Sequence, residues 1–163
     1  MNIFFLDTDP RLAAQYHFDI HVGKMVLESA QLLSTAHHEL KSPISSKLYR
    51  PTHVNHPCSK WLRESSDNYM WLYELYTELH NEFMFRRGTG HNAFLNLYQA
   101  LSSPPDTLPS NGLTLPPTAM PDHLKGNPKT FTDVVEAYRR YYIKGKPKVW
   151  RKWTNRKEPS WMT

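Results

Sequence analysis

Cysteine is nearly absent from this chain, whose 163 residues include Cys58 alone. A single cysteine excludes an internal disulfide and is typical of a reducing cytoplasm, where we expect the protein to be located. Free cysteines are most often buried, so Cys58 is expected to be a small core residue rather than a nucleophile. No stretch approaches the roughly 18 consecutive apolar residues that span a bilayer. The first residues also lack basic charge before Asp7, so we expect no signal peptide and no membrane partner.

Acidic residues are missing from positions 139–157, which hold nine Lys or Arg. Such a basic end on a nearly neutral body favours a polyanionic partner, with a merely solvated tail as the alternative. Aromatic rings alternate with these cations and could stack on unpaired bases. Trp150 and Trp153, beyond Pro147, are difficult to explain as core, whereas at least one of Tyr138, Tyr141 and Tyr142 is expected to be buried. The predicted nucleic-acid contacts are Arg139, Arg140, Tyr141, Lys146, Lys148, Trp150, Arg151 and Lys152.

Helical periodicity dominates the chain and predicts an all-α fold, a compact single-domain helical bundle over residues 1–163. A short strand or extended segment is expected at 2–6, and Asp9 with Pro10 is typical of a helix start. Seven prolines between 102 and 129 predict an extended belt that wraps over the helices. Residues 145–163 form the basic aromatic tail. The predicted helices cover 10–40 with a break near 18–19, 59–63, 67–87, 92–101 and 132–144.

A polar stripe on an otherwise apolar helix is the most informative pattern. On a helical wheel for residues 16–36, polar side chains recur every three or four positions within a narrow sector. Because Lys and Glu are rarely buried without partners, the stripe is expected to face a water-filled cleft or a paired network. An ordinary ion pair between Lys24 and Glu28 on an exposed face is the alternative, but such a pair contributes only about 0.3–0.5 kcal/mol. The stripe comprises His17, His21, Lys24, Glu28, Gln31 and Thr35.

The chemistry of the stripe suggests a catalytic site. A desolvated lysine can act as a nucleophile or a base, and a nearby carboxylate can transfer protons or stabilise positive charge. A second cluster follows at residues 52–61, where His56 before Pro57 is held extended and Asn55 could cap a helix or contact substrate. The predicted substrate contacts are His17, Gln31, Asn55 and His56.

Nine histidines raise the possibility of a metal site. His17 and His21 have the spacing of two ligands on one helix, and His53 and His56 could add more. However, the chain has no HExxH or CxxC motif, so no cofactor and no metal ligand is assigned. A histidine-ligated metal enzyme is kept as a third hypothesis.

The residues of both clusters together resemble the pyrimidine-dimer DNA glycosylase family, which includes phage endonuclease V and many phage and bacterial relatives. The similar pattern is Asp19-x-His21-Val22-Gly23-Lys24-x-x-x-Glu28-x-x-x-Leu32 followed by Asn55-His56-Pro57-x-x-x-Trp61. The similarity covers about residues 1–87 well and the remainder loosely. It implies a compact helical fold that binds and kinks duplex DNA and excises a damaged base. In the characterised phage enzyme, a free N-terminal amine attacks the sugar with the help of a glutamate.

This sequence departs from the family pattern in two ways. Asn2 is large, so Met1 is expected to be retained in place of a small first residue, and no glutamate adjoins His21. The leading hypothesis is a DNA glycosylase, with or without lyase activity at abasic sites, that acts on a damaged or modified base. The sequence does not determine the oligomeric state, and a monomer is favoured. Lys24 or the Met1 amine would be its nucleophile, and Glu28 and His21 would handle protons. The main rival is a non-catalytic nucleic-acid or nucleotide-binding protein, such as a phage could direct against its host.

Overall fold

The computed structural model describes residues 1–163 and contains seven α-helices and no β-strand, so the protein is all-α as predicted. None of the helices combines the length and the apolar character that spanning a membrane requires. Three short 3-10 turns lie at Ser45–Lys47, Lys148–Trp150 and Ser160–Met162. The helices are α1 (Pro10–Tyr16), α2 (Asp19–Glu39), α3 (Pro57–Leu62), α4 (Ser66–Arg87), α5 (Asn92–Leu95), α6 (Asp122–Lys125) and α7 (Phe131–Gly145).

Helices α1 and α2 are separated where the sequence predicts a break. Asp9 caps α1 by accepting hydrogen bonds from the backbone N–H groups of Arg11 and Leu12, and Pro10 occupies the first helical position. His17 and Phe18 then adopt extended backbone angles, which end α1 and start α2 in a new direction. As a result, His17 does not lie on the same helix as the other residues of the polar stripe.

The core is one cluster of 35 buried hydrophobic residues, with α4 packed against both α1 and α2. Helix α4 begins with a Ser65 cap and ends at Gly88, whose positive φ of 72° is accessible to glycine at little cost. Cys58 lies in this core as expected, and burial raises the pKa of its thiol to about 12.

The N-terminal segment forms no strand but passes through the interior, with residues 3–6 all buried. Phe4 has a φ of 43°, a left-handed conformation that costs a non-glycine residue roughly 1–2 kcal/mol. The side chain of Asn2 offsets this cost, because its Oδ1 atom accepts hydrogen bonds from the N–H groups of Ile3 (2.8 Å) and Phe4 (3.0 Å). The resulting bend turns the Phe4 ring towards α2.

The proline-rich segment lies against the helices through hydrogen bonds to α3, α4 and α7. The Asn68 side chain binds Thr114 in both directions, and the Trp61 indole donates to the Thr114 carbonyl (3.2 Å). Farther along, the Tyr138 hydroxyl donates to the Pro117 carbonyl (2.7 Å). The segment also contains the short helix α6, which was not predicted, and α5 stops at Leu95 rather than near Leu101.

Helix α7 brings the C-terminal part of the chain against the N-terminal segment. A capping box between Thr130 and Asp133 fixes its first turn. Tyr138 and Tyr142 are fully buried, whereas Tyr141 is only partly buried. The expectation that Trp153 lies outside the core is wrong: it is 8% exposed, and its indole N–H donates to the Tyr16 carbonyl (3.0 Å).

Candidate active site

A cavity of about 200 Å³ lies between the start of the chain, the first half of α2 and the end of α7. Three members of the polar stripe face it, together with three residues of the basic terminus that the sequence assigned to nucleic-acid contacts. The cavity therefore brings together the polar stripe and the basic terminus, which the sequence presented as separate features. Its lining residues are Met1, Asn2, Phe4, His21, Lys24, Glu28, Ala119, Tyr141, Lys146 and Trp150.

Glu28 is the centre of the polar side of this cavity. Its carboxylate lies 3.7 Å from the α-amine of Met1 and 3.6 Å from Nζ of Lys24, and it accepts a hydrogen bond from the Asn2 backbone N–H (3.1 Å). The Glu28 side chain is only 13% exposed. A half-enclosed carboxylate therefore holds two amines within reach of one another, which is more than an ordinary surface ion pair.

The two amines differ in their surroundings. The Met1 side chain is only 2% exposed, but the residue as a whole is partly exposed, so its exposed part is the backbone that carries the amine. The Lys24 side chain is 62% exposed, and the burial expected for a desolvated lysine is therefore not present. Of the two, the Met1 amine is the one fixed inside the cavity by its own buried side chain.

His21 lines the cavity and is held by two partners. Its ring stacks on Phe4 with centroids 4.6 Å apart, and its Nδ1 atom lies 2.7 Å from the Tyr142 hydroxyl. Burial, with smaller contributions from His17, Lys146 and Lys24, lowers the pKa of His21 to about 2. A histidine with this pKa is neutral near pH 7 and has no extra proton to give. Glu28, which lies beside both amines, is therefore a better candidate than His21 for proton transfer.

The aromatic part of the lining carries a second lysine. Nζ of Lys146 lies 4.3 Å from the ring centre of Tyr141, 4.9 Å from that of Phe4 and 5.9 Å from that of Trp150. It also donates a hydrogen bond to the Tyr141 hydroxyl (3.1 Å). Such cation–π contacts hold an ammonium group in place without neutralising its charge.

The charge balance of the cavity is positive. The Met1 amine, Lys24 and Lys146 line it together with one carboxylate, that of Glu28. Flat rings lie beside these cations, so the lining combines groups that attract phosphate with groups that stack on a base or sugar.

Some predicted site residues lie elsewhere. His17 is fully buried in the core and does not line the cavity, and its Nδ1 atom lies 2.7 Å from the Ala13 carbonyl oxygen. Burial lowers the pKa of His17 to about 4. Gln31 is one turn beyond Glu28 on α2 and does not line the cavity. Asn55 is exposed and does not cap α3 as expected.

His56 is the residue that caps α3, because its Nδ1 atom accepts from the Cys58 N–H (3.1 Å). Burial lowers the pKa of His56, and the positive charge of the N-terminal amine lowers it further. The imidazole therefore lies within electrostatic range of the amine, although it does not line the cavity.

Several cationic side chains of the basic terminus are already hydrogen-bonded within the protein. Arg139 is used internally, where it bonds the Leu6 carbonyl (3.0 Å) and Asp7 (2.9 Å), and Arg140 bonds the Leu124 carbonyl (2.8 Å). Arg151 likewise donates to the Ile143 carbonyl. These three arginines support the fold, since their guanidinium groups already have partners. Lys148 and Lys152 are exposed and form no ion pair.

A buried charge network anchors this terminus. Glu82 binds Arg86 (2.7 Å) and Arg156 (2.9 Å), and Arg86 also binds Asp19 (2.9 Å). The Asp19 carboxylate accepts two further hydrogen bonds from Thr154, which help to lower its pKa against the opposing effect of burial. Thr154 and Arg156, which follow Trp150 in the chain, are thereby tied to α2 and α4.

Sequence reasoning missed Asn2, Phe4, Ala119 and Tyr142 as parts of the site. Phe4 and Ala119 reach the predicted residues only through the tertiary fold, whereas Asn2 and Tyr142 are sequence neighbours of the predicted Met1 and Tyr141. The N-terminal apolar run offered a strand or extended segment as its simplest interpretation. The metal hypothesis gains no support, because no group of three or more His, Cys, Asp or Glu side chains is placed to hold an ion.

No protein-family model, no curated protein and no solved structure matches this chain. The geometry of the cavity is therefore the basis for a functional assignment.

Proposed function

We propose that the protein is a DNA glycosylase with lyase activity at abasic sites, acting on a damaged or modified base. The observation that carries this proposal is the α-amine of Met1 held 3.7 Å from the Glu28 carboxylate inside a positively charged, aromatic cavity. An amine beside a carboxylate can attack a carbon and lose its proton to the same neighbour. The cations of the lining suit the phosphates that flank a nucleotide.

The proposed reaction begins with transfer of a proton from the Met1 amine to Glu28. The nitrogen lone pair then forms a bond to C1′ of the sugar as the bond from C1′ to the base breaks. The electrons of the broken bond leave with the base, which takes up the proton that Glu28 received. The sugar ring opens to an imine as a proton moves from the attached nitrogen to the ring oxygen. Glu28 accepts a proton from C2′ as the 3′ phosphate is expelled, and water finally hydrolyses the imine and restores the amine.

Lys24 and Lys146 would hold the substrate rather than react with it. Lys24 is mostly exposed at the mouth of the cavity and can approach a phosphate, and Lys146 is fixed against three rings. The enclosed Met1 amine is the better placed nucleophile because its direction is fixed by a buried side chain.

Borohydride trapping tests the proposal. The protein is incubated with duplexes that contain an abasic site or a thymine dimer, borohydride is added to reduce any imine, and the adduct is digested and mapped by mass spectrometry. We expect an adduct at the α-amine of Met1 and strand cleavage in the absence of borohydride. Absence of both products on every duplex would overturn the proposal.

Three variants separate the roles of the amines and the carboxylate. Blocking the α-amine with an acetyl group is expected to abolish trapping, whereas Lys24→Met is expected to weaken binding and to leave the adduct at Met1. Glu28→Gln is expected to lower the rate by about 10²- to 10⁴-fold, the usual contribution of a positioned acid or base. An adduct that maps to Lys24 would assign the nucleophile to that residue and contradict the role of Met1.

The non-catalytic alternative rests on the exposed cations Lys148 and Lys152, which can bind DNA without any reaction. This alternative predicts salt-sensitive DNA binding that is unchanged in Glu28→Gln. It also predicts that borohydride traps no adduct. Measuring binding and trapping on the same variants distinguishes the two functions.

A further inference from the structure

A second depression of about 380 Å³ adjoins the cavity and has no part in the chemistry described above. It lies between the start of α2, the end of α4 and the turn that follows Pro147. Trp150 lines both depressions, so the two are neighbours at this residue. We call it the flanking groove, and its lining residues are Asp19, Ile20, Arg87, Val149, Trp150 and Lys152.

The flanking groove exposes apolar side chains that the fold leaves uncovered. Val149 is 71% exposed, more than any other large hydrophobic residue of the chain, and Ile20 across the groove is 48% exposed. Single exposed apolar residues are common, but here two of them line the same groove as a tryptophan. A flat, apolar ligand face would cover this surface.

Charge identifies the ligand more closely. Arg87 and Lys152 line the groove, and neither forms an ion pair. The one carboxylate of the lining, Asp19, is already bound by Arg86 and Thr154. The groove therefore offers two free cations beside an apolar surface, which is complementary to a nucleotide with its negative phosphate and flat base.

The groove is formed before any ligand arrives. The Asp19 N–H donates to the Lys152 carbonyl (2.9 Å), and the Trp150 N–H donates to the Pro147 carbonyl (3.0 Å). Because the C-terminal end of the turn is fixed by the hydrogen bond between Lys152 and α2 and by the neighbouring buried Trp153, little ordering is required on binding.

We propose that the flanking groove binds the nucleotide next to the reacting one on the same DNA strand. Its base covers Ile20 and Val149 and stacks on Trp150, and its phosphate contacts Arg87 and Lys152. The volume suits a single nucleotide, since pockets for small ligands start near 300 Å³. This inference rests on the proposed function, because it takes the cavity as the site of the reacting nucleotide.

The test uses single-stranded oligonucleotides with a non-reactive tetrahydrofuran abasic analogue. One set carries 2-aminopurine on the 5′ or the 3′ side of the analogue, and a matched set carries a spacer without a base at that position. We expect 2-aminopurine fluorescence to be quenched on one side, and removal of that base to weaken binding by about 5- to 150-fold, the contribution of one stacked base. Equal affinity for both sets, or no binding of either, would overturn the inference.

Exposed residues provide variants that should fold. Val149→Ser and Ile20→Ser are expected to remove the preference for a flanking base, while Leu115→Ser, a change at another exposed apolar residue, leaves it intact. Arg87→Gln is expected to weaken binding of both sets equally and to reduce its salt dependence. If the unmodified protein forms a dimer that Val149→Ser disrupts while DNA binding is unchanged, the groove belongs to a protein partner and the inference is overturned.

The two proposals can fail separately. If abasic duplex gives an adduct at Met1 but the flanking base has no effect, the groove is not a nucleotide subsite and the enzyme assignment stands. If the flanking base matters but no adduct forms on any duplex, the groove binds a nucleotide and the catalytic assignment is wrong.

Discussion

Replacing Glu82 by glutamine removes a buried negative charge that holds two arginines. The Glu82 side chain is 3% exposed, and its carboxylate accepts hydrogen bonds from Nε of Arg86 (2.7 Å) and from Nε and Nη2 of Arg156 (3.0 and 2.9 Å). In Glu82→Gln, one of the two carboxylate oxygens becomes an amide NH₂ group, which cannot accept from a guanidinium. Arg86, itself 1% exposed, keeps only Asp19 as a charged partner.

The expected loss of stability is dominated by Arg86. Breaking a buried ion pair by removing one partner costs about 3–5 kcal/mol, because the remaining charge is left poorly compensated. The contact with the partly exposed Arg156 adds less than about 1 kcal/mol. A loss of about 3–5 kcal/mol lowers the melting temperature of a chain of this length by roughly 6–20 °C.

Thermal unfolding followed by circular dichroism measures this loss. The matched control is Asp122→Asn, which breaks an exposed pair with Lys125 and is expected to leave the melting temperature unchanged. Glu82→Gln should also accelerate tryptic cleavage within residues 151–157, since Arg156 loses its anchor. A decrease of less than about 2 °C, or one no larger than that of the control, would refute the assignment of this network as an anchor of the C-terminal segment.

Three further outcomes are expected. The free energy of unfolding should fall as the pH is lowered below about 6.5, because His17 and His21 stay neutral in the folded protein, with pKa values near 4 and 2, and take up protons on unfolding. Each histidine contributes about 1.4 kcal/mol per pH unit, and for His17 this contribution ends near pH 4. Urea unfolding at several pH values measures this slope. Cys58 should resist a thiol reagent such as dithionitrobenzoate in native buffer and react fully in guanidinium, because its thiol is buried and its pKa is raised to about 12; fast native labelling would contradict its place in the core. Thr130→Ala should remove the N-cap of α7 and lower the free energy of unfolding by about 1 kcal/mol, which corresponds to a melting temperature lower by roughly 2–4 °C. Thr130→Ser should retain the cap and most of the stability.

Local signals in the sequence predicted most helix positions. The Asp9 cap before Pro10, the break near residue 18 and the end of α4 at Gly88 all depend on neighbouring residues, and all three are confirmed. The shorter α5 shows the limit of this reasoning, because helical pattern alone did not reveal that the chain turns after Leu95.

The polar stripe predicted part of the site for a clear geometric reason. His21, Lys24 and Glu28 lie on one continuous helix, so the wheel correctly placed them on one face. The same wheel included His17 by continuing the helix through residues 17 and 18, where the backbone is extended. The change of direction there turns His17 into the core.

The remaining site residues depend on contacts between distant parts of the chain. Phe4 reaches His21 only because of a left-handed bend, and no local pattern indicates such a bend at a phenylalanine. Arg139 could not be distinguished from a DNA-binding cation, because its partners, Leu6 and Asp7, lie more than 130 positions away.

The contacts that build the site join residues far apart in the sequence, so we expect the site to open at a lower free-energy cost than the central helices. The Asn2 side chain bonds the Ala119 carbonyl across 117 positions, and Thr154 bonds Asp19 across 135, whereas hydrogen bonds within α2 and α4 join residues four apart. Partial opening of the two chain ends would dismantle the cavity while the central helices persist. Amide hydrogens near Met1 and Trp150 are therefore expected to exchange through small openings, and those of α4 only through global unfolding.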